Sequence, residues 1–334
     1  MMRIPVEKMY EEFFRVLLKI GFSKDRAELC AQLFTETSRD GVYSHGLNRF
    51  PQFVEYIRKG YVAINAVPEM VDSSGAVERW DGNLGPGNLN AFFCMNRAIR
   101  IAHENGIGCV ALRNTNHWMR AGSYGLQAAE AGCIGICWTN TMPLMPPWGA
   151  KEKKLGNNPV VFAVPRPGGH ILLDMAMSQF SFGKLNTFKL HNELLPVAGG
   201  YDSEGNLSCD PEAIIQSGRS VAIGYWKGSG LALMLDLMAM LLSGGKSTYQ
   251  LGKLIPDEYG VCQVFIALDI SKSADESFIH SAVDEVVNDL HNAEPVDKGG
   301  NVYYPGERML LTRKENEEKG IPVEQSFWQQ VLDI

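Results

Sequence analysis

The sequence predicts an α/β protein, and three observations carry that prediction. Residues 107–139 alternate between an apolar strand pattern, a helical pattern and a second strand pattern. Residues 5–20 and 24–38 place apolar side chains at helical spacing, which predicts a helical layer near the N-terminus. The 334-residue chain is 45% hydrophobic and 21% charged, a composition typical of globular proteins, and its length allows more than one core.

The N-terminal part of the chain is predicted to be helical. Its two periodic stretches form the first helices, with Ser23 placed to cap the second of them. A third helix is predicted from Leu47 to Lys59, where a glycine ends it. Residues 1–60 are predicted to form a helical terminal domain together with residues 300–334.

Residues 61–299 are predicted to form a central α/β region that binds cofactor and substrate. This region starts extended over 62–80 and continues with a helix from about residue 89 to 104. The alternation that follows consists of a strand over 107–113, a helix over 123–131 and a strand over 133–139. Such an order predicts some parallel strand pairing. A further division, with 107–158 as its own subdomain, is left open.

A long loop and a series of further elements follow. The loop over 140–158 is rich in proline and glycine and too long for a bare connector, so it is predicted to line a site. The very apolar helix from Leu231 to Leu242 is predicted to be buried on all sides. The remaining elements are strands over 159–164, 170–176 and 261–269, a turn over 224–230, and helices near 182–193, 274–292, 307–318 and 323–333.

Charge and hydropathy exclude several classes of function. The formal net charge of −7 argues against a nucleic-acid surface, because phosphate binding needs a basic patch. No apolar run reaches the length of a membrane span. The acidic, periodic start of the chain predicts an amphipathic helix instead of a signal peptide, so a cytoplasmic protein is expected. The seven scattered cysteines are expected to be reduced thiols.

The stretch from Arg39 to Phe50, RDGVYSHGLNRF, is the first candidate for a site. If a helix begins at Ser44 with its hydroxyl as the N-cap, His45 and Arg49 stand four residues apart on one face. Histidine can exchange a proton near neutral pH, and arginine presents a fork of donors that suits a carboxylate. This pair suits the reduction of a 2-oxo acid. A capped helix start with a surface histidine and a solvated arginine has the same sequence pattern.

The loop over 114–125, NTNHWMRAGSYG, is the second candidate. It follows a predicted strand and brings together Asn116, His117 and Arg120, and loops at strand ends often carry binding groups. His117 is either a structural histidine or a group that orients or recharges His45.

Three stretches are candidates for holding a dinucleotide: 85–88, 174–183 and 225–230. None of them has the G-x-G-x-x-G fingerprint between a strand and a helix, so an ordinary Rossmann domain is not expected. Lys227 and the glycines after it offer a cation and backbone N–H groups to phosphates, although a tight turn before a helix explains the same residues. No metal-ligand motif occurs in the sequence, and no metal is expected.

Five motifs together resemble the type-2 malate/L-lactate dehydrogenase family from end to end. They are SHGLNR at 44–49, NHW at 116–118, GNNP at 156–159, DMAMS at 174–178 and WKG at 226–228. The resemblance implies a non-Rossmann α/β fold with a mixed, largely antiparallel sheet and helical layers from both termini. It also implies a homodimer that reduces a small sugar-derived 2-oxo acid with NADH, NADPH being less favoured.

The resemblance further implies roles for individual residues. His45 is the expected proton donor, Arg49 the clamp for the substrate carboxylate, and Arg120 a second substrate contact. Ser44, Asn116 and His117 are expected to orient the substrate or His45. The expected cofactor-binding residues are Ala176, Met177, Ser178, Gln179, Phe180, Ser181, Phe182, Trp226, Lys227, Gly306, Glu307 and Arg308.

The chain departs from the family at two places that concern the cofactor. Asn157 stands where threonine is common, and Glu307-Arg308 stands where the reductase branch commonly has His-Glu. Two alternatives remain: another 2-hydroxy acid dehydrogenase of the family, of malate, lactate or ureidoglycolate type, or a non-catalytic protein that binds sugar acids.

Overall fold

The computed structural model describes residues 2–254, 257–272 and 275–334. Its helices are α1 (Val6–Lys19), α2 (Lys24–Arg39), α3 (Phe50–Arg58), α4 (Gly87–Asn105), α5 (Gly122–Glu130), α6 (Phe182–Leu190), α7 (Pro211–Ser217), α8 (Trp226–Ser243), α9 (Thr248–Leu251), α10 (Glu276–His291), α11 (Glu307–Lys319) and α12 (Gln325–Asp333). Its strands are β1 (Met2–Ile4), β2 (Glu69–Ser74), β3 (Val77–Asp81), β4 (Ile107–Thr115), β5 (Cys133–Thr139), β6 (Val160–Val164), β7 (Ile171–Met175), β8 (Gly200–Tyr201), β9 (Leu207–Ser208), β10 (Val261–Asp269) and β11 (Ile321–Val323). The predicted start of the helix near 274–292 lies outside the described residues.

The centre of the fold is a seven-stranded sheet with the order β2-β3-β4-β10-β5-β6-β7. Only β3 and β4 run parallel, and the other neighbouring strands are antiparallel. Helices from the two ends of the chain, α1 to α3 and α11 to α12, accompany this sheet. The predicted fold class, α/β with a mixed and largely antiparallel sheet, is confirmed.

The parallel pairing in this sheet differs from the pair that the strand–helix–strand alternation suggests. β10 lies between β4 and β5 and is antiparallel to both, so these two strands have no direct hydrogen bonds with each other. The parallel pair is β3 with β4. A local pattern over residues 107–139 contains no information on a strand that enters from residues 261–269.

Both faces of the sheet are covered by helices. The largest apolar cluster lies between the sheet and helices α4 and α5, and it includes Trp118, Tyr124 and Phe265. A second cluster lies on the other face, where α8 contributes Ala232 and Leu235. Across the described ranges, no helix combines the length and apolarity needed to cross a bilayer.

The two ends of the chain meet in a third apolar cluster. Phe13, Phe34 and Phe50 from the N-terminal helices pack in it with Trp328 and Val331 of α12. The short strands β1 and β11 pair antiparallel beside it. These three-residue strands were not predicted, because so few residues show no alternation. The proposed domain boundaries at residues 60 and 300 stay a prediction.

Helix α8 is not buried on all sides, contrary to the prediction from its sequence. Seven of its apolar side chains are 36–71% exposed, namely Trp226, Leu231, Leu233, Met234, Leu237, Leu241 and Leu242. Only the opposite face, with Ala232, Leu235 and Ala239, packs on the sheet. An apolar pattern on every side predicts burial, but it does not say whether the covering surface belongs to the same chain.

Two helix starts also differ from the predictions. Ser23 occupies the N-cap position of α2, but its side chain makes no capping hydrogen bond. The predicted turn over 224–230 becomes helical at Trp226, so most of it is the first turn of α8. Gly228 is required there, since a Cβ would lie 2.2 Å from the carbonyl oxygen of Ile223.

One buried carboxylate, Asp40 at the end of α2, connects three parts of the fold. Arg313 of α11 donates to its two oxygens at 2.7 and 2.8 Å, Arg120 donates at 2.6 Å, and Arg39 at 3.1 Å. The Asp40 side chain is 1% exposed. Although burial alone would raise it, the ion pairs with Arg313 and Arg120 hold the pKa of Asp40 below its usual range.

We expect Asp40→Asn to lower the free energy of unfolding by about 3–5 kcal/mol at pH 7, because it leaves buried guanidinium groups without their counter-ion. Urea denaturation measures this loss. Because the folded pKa of Asp40 lies below the unfolded value, its stabilising contribution is present above the unfolded pKa and disappears as the pH falls through the folded pKa.

The matched control is Glu28→Gln, which removes an exposed carboxylate that pairs with Lys24 at 3.8 Å. This change should alter stability by no more than about 0.5 kcal/mol. Equal effects of the two substitutions would contradict the central role of Asp40.

Candidate active site

A cavity of about 820 Å³ lies where the N-terminal helices, the end of β4, the 140–158 loop and the segment after β7 meet. Ten of the predicted site residues line it: Ser44, His45, Arg49, His117, Arg120, Ala176, Ser178, Ser181, Phe182 and Gly306. The 140–158 loop contributes Asn140, Thr141, Met142, Leu144, Met145 and Asn157, so this loop lines the cavity as predicted.

The local structure around Ser44 differs from the predicted capped helix. Residues 43–46 form a turn, which a 3-10 segment (Leu47–Arg49) connects to α3. Ser38 prevents an earlier helix start, because its hydroxyl accepts the Leu47 N–H at 2.9 Å and packs against Gly46. The Ser44 hydroxyl is therefore not an N-cap and lies 2.9 Å from Nδ1 of His45.

The two predicted histidines lie together. The ring centroids of His45 and His117 are 5.7 Å apart, with an angle of 23° between the ring planes. Nδ1 of His117 accepts the Met119 N–H at 3.0 Å, so the neutral ring carries its proton on Nε2. The sequence spacing of 72 positions gave no sign of this contact, which depends on the turn after α2 facing the loop after β4.

The surroundings of the histidines favour their neutral forms. Burial lowers the pKa of His45 to about 4, and the positive charges of Arg49 and Arg120 act in the same direction. Burial, Arg49 and His45 also lower the pKa of His117. An anion bound beside Arg49 would offset that charge and raise the pKa of His45.

Arg49 is half-buried at the cavity wall. Within the described residues its guanidinium has no hydrogen-bond acceptor and forms no ion pair. Burial lowers its pKa, whereas the nearby Glu258 opposes this effect. A solvated surface arginine does not fit this position, and its unused donor fork is available to an anionic ligand.

Arg120 and Asn116 are engaged by the protein itself. Arg120 binds Asp40, and its Nε has no partner in the described part of the chain. The Asp174 carboxylate lies nearby and accepts the Gly122 N–H at 2.8 Å. Burial raises the pKa of Asp174, and the positive charge of Arg120 opposes this increase. Asn116 donates to backbone carbonyl groups at 2.8–3.0 Å and does not line the cavity.

The predicted cofactor residues divide into two groups. Ala176, Ser178, Ser181, Phe182 and Gly306 line the cavity, while the others do not. In the second group, Met177 is buried in the apolar cluster below α8, the backbone N–H of Gln179 donates to Val221, and Phe180 packs on Phe188. Trp226 and Lys227 lie in the first turn of α8. Glu307 pairs with His291, and Arg308 stacks on Tyr303. The role of both groups stays a prediction.

One structural observation agrees with a nicotinamide group in this cavity. The Ser220 hydroxyl is buried and has no hydrogen-bond partner in the described part of the protein. It lines the same cavity as Ser178 and Ser181, so polar atoms are available there for a carboxamide.

The polar residues of the cavity wall that the sequence motifs did not single out include Asp174, Ser220 and Glu258. Asp174 belongs to the DMAMS motif, whose neighbours were assigned to the cofactor. Glu258 lies outside the five motifs, so the sequence assigned it no role. No pattern in the sequence pointed to Ser220.

The similarity of the chain to known proteins agrees with this geometry. A family profile described as malate/L-lactate dehydrogenase matches residues 4–332. The chain belongs to the malate/L-lactate dehydrogenase family. It is therefore an oxidoreductase of a family that uses NAD or NADP, and the resemblance inferred from its motifs is confirmed.

Individual relatives match along nearly their whole length. The protein of Citrobacter koseri named 2,3-diketo-L-gulonate reductase is 44% identical over 330 residues, which are 99% of both chains. A protein of the same name from Escherichia coli is 43% identical with the same coverage. The malate dehydrogenase of Pyrococcus horikoshii has a TM-score of 0.90 at 28% identity, and the match covers 99% of this chain and 94% of that one.

We expect Arg49→Gln to raise the pKa of His45 above its value of about 4, because the substitution removes a nearby positive charge. Titration of histidine ring protons by NMR measures this pKa. Since the folded pKa lies below the usual value of about 6.5, His45 also makes stability decrease as the pH falls from about 6.5 towards 4.

Arg58→Gln is the matched control, since it removes an exposed positive charge from the last turn of α3. This control should leave the pKa of His45 unchanged. If Arg49→Gln leaves it unchanged as well, Arg49 does not contribute, and burial and Arg120 lower this pKa.

Proposed function

We propose that this protein is an NADH-dependent reductase of a sugar-derived 2-oxo acid, with 2,3-diketo-L-gulonate reduced to 3-dehydro-L-gulonate as its reaction. The observation that carries this proposal is the cavity wall on which Arg49, with an unused donor fork, accompanies His45. The relatives named 2,3-diketo-L-gulonate reductase, at 43–44% identity, support the choice of substrate.

In this proposal Arg49 binds the substrate carboxylate and His45 protonates the oxygen of the adjacent carbonyl group. When bound, the reduced nicotinamide supplies a hydride to the 2-oxo carbon. The carboxylate offsets the charge of Arg49, so substrate binding raises the pKa of His45 and favours its protonated, donating form. Ser44 holds the ring through Nδ1, and His117 keeps a second ring beside it.

The other predicted residues bind the substrate or the cofactor, or hold the surrounding backbone. The Nε of Arg120, which has no partner among the described residues, is available to the substrate, and Asn116 attaches the loop that carries His117 to the carbonyl of Gly85. Ala176, Ser178, Ser181, Phe182 and Gly306 hold the nicotinamide end of the cofactor. Two of the candidate dinucleotide stretches, 174–183 and 225–230, contain no arginine for a 2′-phosphate, which supports NADH over NADPH.

Another 2-hydroxy acid dehydrogenase activity is the second candidate function. The malate dehydrogenase of Pyrococcus horikoshii, with its TM-score of 0.90, supports this candidate. The same cavity and the same pair of His45 and Arg49 would serve a different 2-oxo acid, so the substrate alone separates the two candidates.

We also infer a cytoplasmic homodimer. The exposed apolar face of α8 supports the dimer, because soluble monomers rarely expose a contiguous apolar patch of this kind. The free cysteines, six of them buried, support a reducing compartment.

The decisive experiment follows NADH oxidation with 2,3-diketo-L-gulonate, oxaloacetate and pyruvate, and repeats the panel with NADPH. We expect the highest kcat/KM for 2,3-diketo-L-gulonate with NADH. His45→Ala should lower kcat roughly 10²–10⁴-fold, because it removes the general acid, while the dissociation constant of NADH stays nearly unchanged. A variant that retains more than half of the wild-type rate would exclude His45 as the proton donor.

The dimer is tested by sedimentation of the variant Leu237→Glu. We expect the wild-type protein to sediment as a dimer and this variant as a monomer. The substitution lies on the exposed face of α8, where a charge without a partner would become buried in the dimer and is strongly unfavourable. Val296→Glu, at a fully exposed apolar residue away from α8, should leave the dimer intact. A monomeric wild-type protein would contradict the proposal.

A further inference from the structure

Glu258 brings a negative charge into the cavity that contains Arg49. Its Oε2 accepts the Met142 N–H at 2.7 Å, and no other described residue donates to its carboxylate. Burial raises the pKa of Glu258, whereas the Met142 N–H and the positive charge of Arg49 favour its ionised form. Even so, the two side chains form neither an ion pair nor a hydrogen bond, so their charges stay apart.

The neighbouring carboxylate of Asp257 differs in this respect. Asp257 also lines the cavity, but Lys59 binds it at 3.1 Å and the Tyr56 hydroxyl donates to it at 3.2 Å. Its hydrogen-bonding capacity is therefore partly used. Glu258 is the carboxylate of this pair with capacity left for a ligand.

The chemistry of the two separated charges defines the ligand that fits between them. A guanidinium group only donates hydrogen bonds and suits a carboxylate. An ionised carboxylate only accepts hydrogen bonds and suits hydroxyl groups. A small acid with hydroxyl groups a few atoms from its carboxylate satisfies both sides of the cavity, whereas a second carboxylate near Glu258 is repelled.

We propose that Glu258 is a specificity-determining residue that binds hydroxyl groups on the tail of the substrate and disfavours dicarboxylates. This inference rests on the proposed function and adds the group that distinguishes a sugar acid from oxaloacetate. It assigns the carboxylate end of the substrate to Arg49 and the polyol end to the wall formed by Glu258 and the 140–158 loop.

The test is Glu258→Gln, which keeps the size of the side chain and an oxygen for the Met142 N–H. For 2,3-diketo-L-gulonate we expect kcat/KM to fall roughly 10- to 100-fold, mainly through KM, because a hydrogen bond to a charged group is lost. For 2-oxobutanoate, which has no hydroxyl group, kcat/KM should stay within about threefold. For oxaloacetate kcat/KM should rise, since the repulsion is removed.

A binding measurement accompanies the kinetics and needs no turnover. Calorimetry with L-gulonate and hexanoate should show that the wild-type protein prefers the hydroxylated acid and that Glu258→Gln loses this preference. Asp257→Asn is the matched control, because it removes a carboxylate of the same cavity that already has protein partners. It should preserve the ratio between the two acids.

The possible outcomes separate this inference from the proposed function. If Glu258→Gln affects all substrates equally, or Asp257→Asn changes the ratio as much, Glu258 only supports the 140–158 loop and the inference is overturned. If the wild-type protein reduces no 2-oxo acid, the proposed function fails and the calorimetry alone decides on Glu258. Should Glu258→Gln not fold, Glu258→Asp keeps the charge but shortens its reach and must weaken only the hydroxylated acid.

Discussion

The geometry of the candidate active site depends on the buried carboxylate of Asp40. It lies five residues before His45 and binds Arg120 of the loop after β4 together with Arg313 of α11. Three segments that are distant in the chain thus meet at one charge. Because charged groups in the interior are unfavourable without a partner, the arginines hold their segments against Asp40. This contact places the turn with His45 opposite the loop with His117.

The cavity next to this cluster holds cations close to His45, and its carboxylates Asp257 and Glu258 form no ion pair with Arg49. Arg49 has no ion pair there, and both histidines are kept neutral by burial and by the neighbouring cations. Such a site favours a small anion, and the anion changes the chemistry of the residues around it. The absence of a Rossmann fingerprint does not matter for this property, which depends on side chains from two segments, 45–49 and 117–120.

Periodicity in the sequence was sufficient for most helices and strands, and motifs were sufficient for ten of the residues that line the cavity. Three features depended on long-range contacts that no local pattern contains. β10 separates β4 and β5, the contact of Ser38 with Gly46 delays the helix beyond Ser44, and α8 leaves one apolar face exposed. Glu258 was overlooked for the same reason, since its approach to Arg49 joins residues that are 209 positions apart.

Binding of the acid and protonation of His45 are thermodynamically linked in such a site. Arg49 lowers the pKa of His45 in the free protein, and a carboxylate that offsets Arg49 raises it. By reciprocity, protonation of His45 must strengthen binding of the carboxylate by the same factor. In the proposed function, the free protein therefore has a neutral histidine and an available arginine, and binding of the carboxylate pairs the arginine and shifts the histidine towards its protonated form. Under the same proposal, the substrate promotes formation of the acid that the reduction requires, and ligands without a carboxylate leave His45 neutral.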